Sequence, residues 1–147
     1  MRSSLVLAGL LLLSGCAALG GGRDRRAVLD TVQGFFDFIA SGNAEVGARV
    51  MVPEGVFVTV READGKRVVG SFSNAQSIER MRGSTQQMRE AFVGNPLVLV
   101  AGDVATVWAR YVFEVDGRHS HSGVDAFNLV RTDDGWKISG GAYSVIR

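Results

Sequence analysis

Residues 104–132 read VATVWARYVFEVDGRHSHSGVDAFNLVRT, and this stretch decides the fold. On both sides of Asp116-Gly117 the chain is rich in β-branched and aromatic residues, which favour strands. An Asp-Gly pair between two such runs is a strong signal for a tight hairpin turn. The stretch therefore predicts two long antiparallel strands, 104–115 and 118–132, joined by a two-residue turn.

Two further strands flank this hairpin. One is predicted from about residue 86 to 100, bent at Gly94-Asn95-Pro96 because proline interrupts a strand ladder. The other runs from about 136 to 146, after a turn at Asp134-Gly135. The 19 glycines among 147 residues, roughly twice the usual share of about 7%, agree with a domain that has many tight turns. The C-terminal part of the chain is therefore predicted to be a four-stranded antiparallel meander.

The segment before the meander alternates helices with a hairpin. Gly42 and Asn43 separate a first helix from a second short one that ends near residue 51. A hairpin over about 56–69 follows, and a third helix begins at Ser73 or Asn74. The apolar stripe of the first helix repeats at three- and four-residue steps, and its members are Val28, Val32, Phe35, Phe36 and Ile39. Together these elements predict one α+β domain over residues 27–147, with three helices and about six strands.

This order of elements, with the runs GDVATVWARY at 102–111 and GWKI at 135–138, resembles the nuclear-transport-factor-2-like (NTF2-like) superfamily. The segment HSGVDAFNLVR at 121–131 is similar to its bacterial branch of polyketide-cyclase-like (SnoaL-like) and lumazine-binding-like domains. The resemblance implies a cone-shaped, curved antiparallel sheet wrapped around the N-terminal helix, with a pocket at the open mouth. It leaves the function open, because such cones host isomerases, dehydratases, cyclases, carriers and plain dimerisation modules.

The N-terminus has the pattern of a lipoprotein signal. Arg2 precedes an apolar run at 5–13, which is shorter than the roughly 20 residues that span a bilayer. The run ends in Leu-Ser-Gly-Cys at 13–16, which resembles a bacterial lipobox. We therefore expect a signal peptide at 1–15, lipid on Cys16, a flexible tether through residue 26, and the domain after it.

The residue after the cysteine and the overall composition indicate the cellular compartment and exclude some classes of partner. The resemblance to Gram-negative lipoproteins implies that an aspartate directly after the cysteine would retain the protein in the inner membrane. Here the residue after the cysteine is Ala17. The periplasmic face of the outer membrane is therefore expected. A formal net charge of +1 lacks the basic footprint of nucleic-acid binders, and a single cysteine excludes an internal disulfide or a thiolate zinc cluster. No cofactor is expected.

Alternation along strand 104–115 predicts its two faces. The set from Ala105 to Val115 is apolar and is assigned to the core, whereas Trp108 and Arg110 lie on the other face. That second face is too apolar for free exposure, so a second copy of the chain is expected to cover it as a homodimer. With a regular hairpin, Trp108 and Arg110 would share their face with His121 and Asp125. A bulge near Gly123 would reverse this parity by one residue.

The candidate catalytic pair is His121 and Asp125. An aspartate can raise the pKa of a histidine and orient its ring, which gives a general base near neutral pH, with Tyr111 assisting. The alternative is a structural polar cluster in which Asp125 pairs with Arg110. His119 and His121 are two residues apart, as in some zinc sites, but a third ligand is not at hand, so no metal is predicted.

A small-ligand site is the other candidate, because apolar walls with a few polar tips are typical of such sites. Its predicted residues are Tyr111, Tyr143, Phe127, Trp108, Arg110 and Glu90. The leading interpretation is a lipid-anchored extracytoplasmic homodimer that binds a small apolar or aromatic molecule. An acid–base isomerase or dehydratase using His121 and Asp125, and a ligand-free dimerisation or scaffold module, are the alternatives.

Overall fold

The computed structural model describes the backbone of residues 15–147 and the side chains from residue 21 onward. The predicted signal peptide at 1–15 lies outside this description, apart from the backbone of Gly15. The side chain of Cys16 also lies outside it. The helices are α1 (Gly15–Ser41), α2 (Ala44–Val50) and α3 (Asn74–Met81). The strands are β1 (Met51–Ala63), β2 (Lys66–Ser73), β3 (Met88–Ala101), β4 (Val104–Val115), β5 (Arg118–Thr132) and β6 (Gly135–Val145). The predicted α+β class with three helices and six strands is confirmed.

Across the part of the chain that is described, no helix is both long enough and apolar enough to cross a bilayer.

The six strands form one curved sheet in the order β2-β1-β6-β5-β4-β3. The meander β3 to β6 is antiparallel throughout, as the turn signals predict. The hairpin of β1 and β2 joins it through a parallel pairing of β1 with β6. This pairing has no local signal in the sequence, and it places the hairpin at the edge of the sheet farthest from β3.

The concave face of the sheet wraps around α1. The apolar stripe of this helix is buried, with Val28 and Val32 fully inaccessible. Phe35 of the stripe meets Phe127 of β5 edge-on at a ring-centroid distance of 5.3 Å, and it stacks on Phe57 of β1 at 5.8 Å. Such offset and edge-on contacts add stabilisation beyond the apolar area that the rings bury. The predicted core face of β4 is confirmed by the burial of its alternate residues from Ala105 to Tyr111.

The start of α1 differs from the prediction. The tether predicted for residues 16–26 is helical, because its polar side chains find partners on the sheet. Asp24 forms an ion pair with Arg131 of β5 at 2.7 Å. The Arg25 guanidinium donates to the carbonyl oxygens of Pro96 at 3.3 Å and Val98 at 3.4 Å. From Asp24 onward the helix is therefore attached to the end of the sheet rather than flexible.

A bulge at Ser120 sets the parity of β5. Phe113 pairs with His121 whereas the next residue, Glu114, pairs with His119, so Ser120 has no opposite residue. Beyond the bulge, Asp125 lies opposite Ala109, not Trp108. The prediction that Trp108, Arg110, His121 and Asp125 share one face is therefore wrong. His121 and Asp125 face inward, while Trp108 and Arg110 face outward.

Asn74 at the start of α3 links this helix to two strands. Its side chain is inaccessible to solvent, and its Nδ2 donates to the Val52 carbonyl at 2.7 Å and the Ile138 carbonyl at 3.0 Å. The pairing of β1 with β6 is irregular between Met51 and Val56, so the amide supplies a donor where the ladder is interrupted. Asn74 thereby sets the position of α3 against the open end of the cone.

Candidate ligand-binding site

A cavity of about 180 Å³ lies between the concave face of the sheet, the second half of α1, and α3. An engineered apolar cavity of about 150 Å³ is large enough to hold benzene, so this space fits a molecule of one-ring size. The lining is mostly aromatic, and its six rings belong to Phe35, Phe57, Phe72, Phe113, Phe127 and Tyr143. Ile39, Ser77, Arg80, Met81 and Asp125 complete it.

Asp125 is the polar group that reaches the cavity from β5. Its side chain is 5% exposed, and its Oδ2 has no hydrogen-bond partner among the described residues. Burying an ionised carboxylate without donors is expensive, so such a group either takes up a proton or receives a partner. An unpartnered buried oxygen at the wall of a cavity is therefore a candidate contact for a ligand.

Glu90 of β3 faces Asp125 across the inside of the cone. The two carboxyl groups are close enough to share a hydrogen bond once one of them carries a proton. Burial raises the pKa of Asp125 to about 7. Burial, followed by the neighbouring charge of Asp125, raises the pKa of Glu90 well above its ordinary value. The pair therefore holds a proton near neutral pH and offers both a donor and an acceptor.

Two tyrosines lie beside the carboxyl pair. Tyr111 donates its hydroxyl to the Ser144 carbonyl at 2.9 Å, so this hydroxyl is engaged in the fold. Tyr143 is half-buried and lines the cavity. The pKa of Tyr143 is raised first by burial and also by Glu90 and Asp125, whereas Thr59 and Arg80 oppose the rise. Both phenols remain protonated at neutral pH, and Tyr143 is the one placed to contact a bound molecule.

His121 does not join Asp125. Its ring stacks on Phe113 at a centroid distance of 4.8 Å, and its Nδ1 lies 3.1 Å from the Ser120 hydroxyl. Burial, followed by the nearby charge of Arg147, lowers the pKa of His121. Within residues 21–147 no hydrogen bond connects the two side chains, and the ring of Tyr111 packs against Gly123 between them. The predicted pair thus shares a face but not a contact.

The other predicted ligand residues divide between the two faces. Phe127 and Tyr143 line the cavity, Tyr111 lies beside it, and Glu90 faces Asp125. Trp108 and Arg110 lie on the convex face, as the alternation along β4 predicts. They do not share it with His121 and Asp125, because the bulge at Ser120 turns those two side chains inward, so Trp108 and Arg110 do not line the cavity. Trp108 is 48% exposed there.

Arg80, Phe72 and Phe113 also line the cavity and were not predicted from the sequence. Of the lining residues Arg80 alone is exposed, so it marks the mouth of the cavity. A signal for Phe113 was present, because it alternates with Tyr111 on the predicted core face. Neither Phe72 nor Arg80 has such a signal, since both depend on where β2 and α3 dock.

The histidines do not form a metal site in this fold. The bulge at Ser120 turns His119 outward and His121 inward, although they are two residues apart. His119 Nε2 lies 2.8 Å from the Ser122 hydroxyl on the outer side. Over the described stretch of the chain, no cluster of three or more histidine, cysteine, aspartate or glutamate side chains could hold a metal ion.

Comparisons with known proteins place these features in context. A family model described as a SnoaL-like domain matches residues 23–140. An NTF2-like superfamily protein from Salmonella enterica is similar in structure, with a TM-score of 0.68 and 15% identity over 86% of this chain and 94% of its own. An NTF2-like protein with a cystatin-like fold from Novosphingobium aromaticivorans has a TM-score of 0.67 and 20% identity over 93% and 92%.

A third similar structure is described as a candidate dehydratase of the NTF2-like family from Streptomyces avermitilis. Its TM-score is 0.65, with 18% identity over 86% of this chain and 99% of its own. No curated protein matches the sequence. At these identities the solved structures establish the fold alone.

Proposed function

The chain belongs to the SnoaL-like domain family, and from that premise we propose that its cone binds a small, mainly apolar or aromatic molecule. The observation that carries the proposal is a one-ring-sized cavity walled by six aromatic rings, with a buried oxygen of Asp125 in its wall that has no hydrogen-bond partner among the described residues. Apolar walls supply most of the binding free energy of such sites, and a few polar groups orient the ligand. The carboxyl pair of Glu90 and Asp125 has this orienting role.

Filling the cavity should abolish binding. Ser77 lines the cavity from α3, so Ser77→Phe places a ring in the space that a ligand would occupy. A neutral probe, 4-methylphenol, should raise the melting temperature of the wild type and not that of the variant. Ligand at about 100 times its Kd stabilises a folded protein by about 2.7 kcal/mol, which is well within reach of thermal melts.

The matched control for this test is Ala75→Phe, on the exposed side of the same helix. It should retain the full response to the probe. A wild type that responds to no one-ring probe, or a response that survives Ser77→Phe, would contradict the proposal and favour the ligand-free scaffold. Native mass spectrometry of freshly purified protein should in addition reveal the molecule that the cavity retains.

We also propose that lipid on Cys16 anchors the domain to the periplasmic face of the outer membrane. The lipobox-like residues 13–16 and Ala17 support this, as does a helix that runs without a break from Gly15 into the domain. The helix rises about 1.5 Å per residue, so the eight residues from Cys16 to Asp24 span about 12 Å. The anchored domain would therefore lie close to the bilayer.

We further propose that the convex face pairs two copies of the chain. Large apolar side chains are exposed together on β3 and β4, and contiguous apolar surface of this kind is typical of interfaces. Leu97 pairs directly with Trp108 at the centre of the patch. The patch comprises Val93, Leu97, Leu99, Val104 and Trp108, each 48–59% exposed.

Trp108→Arg should weaken this dimer by about 30-fold. Tryptophans at interface centres commonly contribute 2 kcal/mol or more, and two symmetry-related arginines would also repel each other. Light scattering of protein lacking residues 1–22 should show twice the monomer mass for the wild type and a lower mass for the variant. Val69→Arg, at an exposed position on β2 at the other edge of the sheet, should leave the mass unchanged. A wild type that is monomeric at 100 µM or so would refute the dimer.

An acid–base isomerase or dehydratase is the second candidate function. The observation that favours it is the proton that Glu90 and Asp125 share, because one group can donate while the other accepts. His121, the predicted partner of Asp125, is replaced in this role by Glu90. If the molecule recovered from the protein is accompanied by its isomer or dehydrated product, and Asp125→Asn yields only one of the two, catalysis is supported. A single unchanged molecule from both proteins supports binding alone.

A further inference from the structure

The cavity has two chemically different ends. At its inner end, the carboxyl group of Asp125 is buried among aromatic rings, and Glu90 faces it from β3. At its mouth lies the exposed guanidinium of Arg80, supplied by α3. A ligand that fills the space must therefore present one group to buried acids and another to a cation at the solvent boundary.

Arg80 is available to a ligand. Its Cζ lies 5.3 Å from the centroid of the Phe72 ring, so the cation is held over the aromatic wall. The ion pairs of the described residues do not include Arg80, although Arg82 two positions later pairs with Glu79 at 3.0 Å. A guanidinium that is positioned by an aromatic face and lacks an anionic partner is suited to receive a carboxylate.

The aromatic wall fixes the body of the ligand. Phe72 stacks on Phe57 at a centroid distance of 6.0 Å, and Tyr143 meets both rings edge-on at 6.3–6.4 Å. These rings extend from the mouth toward Asp125, and a planar ring can pack among them. The volume of about 180 Å³ limits the body to a single ring with small substituents.

The charge distribution orients the ligand. The carboxylate of a ligand cannot enter first and approach Asp125, because it would lose its hydration beside groups that are themselves acidic. It remains at the mouth, where Arg80 is exposed. A hydroxyl at the opposite end of the ring can donate to the carboxylate of the pair or accept from its protonated partner.

We propose that the cavity binds a monocyclic aromatic carboxylate with a polar substituent opposite the acid. The carboxylate contacts Arg80, the ring lies among Phe57, Phe72 and Tyr143, and the substituent reaches Asp125. This proposal rests on the proposed function of the cone as a small-molecule site, and it adds the class of molecule and its direction of binding.

The test compares two probes of similar size by calorimetric titration at pH 7. The probes are 4-hydroxybenzoate, which carries the carboxylate, and 4-methylphenol, which does not. We expect wild-type protein to bind 4-hydroxybenzoate about tenfold more tightly than 4-methylphenol, because the charge-assisted contact with Arg80 is specific to the acid. Arg80→Gln should remove this tenfold preference.

Arg82→Gln is the matched control, since it removes a neighbouring arginine that does not line the cavity. It should alter neither affinity. If Arg80→Gln leaves the preference intact, or if the wild type binds 4-methylphenol as tightly as the acid, the proposed ligand class is wrong while the small-molecule site stands. If neither probe binds the wild type, both the ligand class and the proposed function are refuted.

Discussion

Replacing Asp125 by asparagine should make the protein increasingly more stable than the wild type as the pH rises from about 4 to 7. The folded-state pKa of Asp125 is raised from the ordinary 3.8 to about 7, mainly by burial. The folded wild type therefore binds more protons than its unfolded chain in this window, and its free energy of unfolding falls as the pH rises. Each pH unit contributes about 1.4 kcal/mol, so the difference approaches 4 kcal/mol at most.

The charged and titratable groups around Asp125 also affect how stability depends on pH. The pKa of Glu90 is also raised, so its titration adds to the loss of stability at higher pH. Tyr111 and Tyr143 stay protonated throughout, because burial raises the pKa of both phenols. Arg80 stays charged at the mouth. Asparagine at position 125 does not titrate and lacks the charge that raises the pKa of Glu90, so both effects favour the variant.

Urea unfolding of the wild type and of Asp125→Asn at pH 5 and pH 8 measures this effect. The difference between their free energies of unfolding should be larger at pH 8 than at pH 5. Asp37→Asn is the control, because Asp37 is an exposed carboxylate on α1 that bonds the Gln33 side chain at 3.0 Å. Its difference from the wild type should stay nearly constant between the two pH values. An equally constant difference for Asp125→Asn would show that Asp125 is ionised in the folded protein, and would remove the shared proton from the site.

Cys16→Ser should release the protein from the membrane fraction completely. Each methylene buried in the bilayer contributes about 0.8 kcal/mol, so two or three acyl chains give persistent attachment and their loss gives none. The apolar run at 5–13 is too short to span a bilayer and cannot replace them. Because Cys16 is the sole cysteine of the chain, no second thiol can take up the lipid.

Fractionation of a Gram-negative host that expresses the full chain, combined with labelling by a palmitate analogue, checks this result. The wild type should be labelled and should float with membranes, whereas Cys16→Ser should be unlabelled and soluble. Ser14→Ala keeps a small residue in the lipobox-like segment and should behave as the wild type. An unlabelled wild type, or a labelled Cys16→Ser variant, would contradict lipid attachment at Cys16.

The elements of the fold could be predicted because their signals are local. Asp116-Gly117 places both turn residues where a two-residue hairpin needs them, and β4 and β5 begin and end at the predicted residues. Asn43 accepts a hydrogen bond from the Glu45 amide at the start of α2. Ser73 and Gln76 form a capping box that starts α3. Each of these signals acts within three residues of its own position, so one sequence contains it in full.

The candidate site could be predicted only in part. Alternation along β4 correctly assigns both Tyr111 and Phe113 to the core face. His121 and Asp125 share the concave face but make no contact, because the ring of Tyr111 packs against Gly123 between them. The bulge at Ser120 was not predicted, since the histidine and serine residues around it favour no particular register. A single extra residue exchanges the two faces of a strand, so this local irregularity turned His121 and Asp125 to the concave face, away from Trp108 and Arg110.

The amino-acid sequence by itself therefore determines the α+β class, the order of the elements and the apolar stripe of α1, because backbone propensity and hydrophobic period act over a few residues. The tertiary structure alone decides that Glu90 of β3 meets Asp125 of β5, and that Arg80 of α3 stands at the mouth. These groups are brought together by the curvature of the sheet and by the parallel docking of β1 on β6. Both depend on contacts between residues far apart in the chain, for which a linear pattern contains no signal.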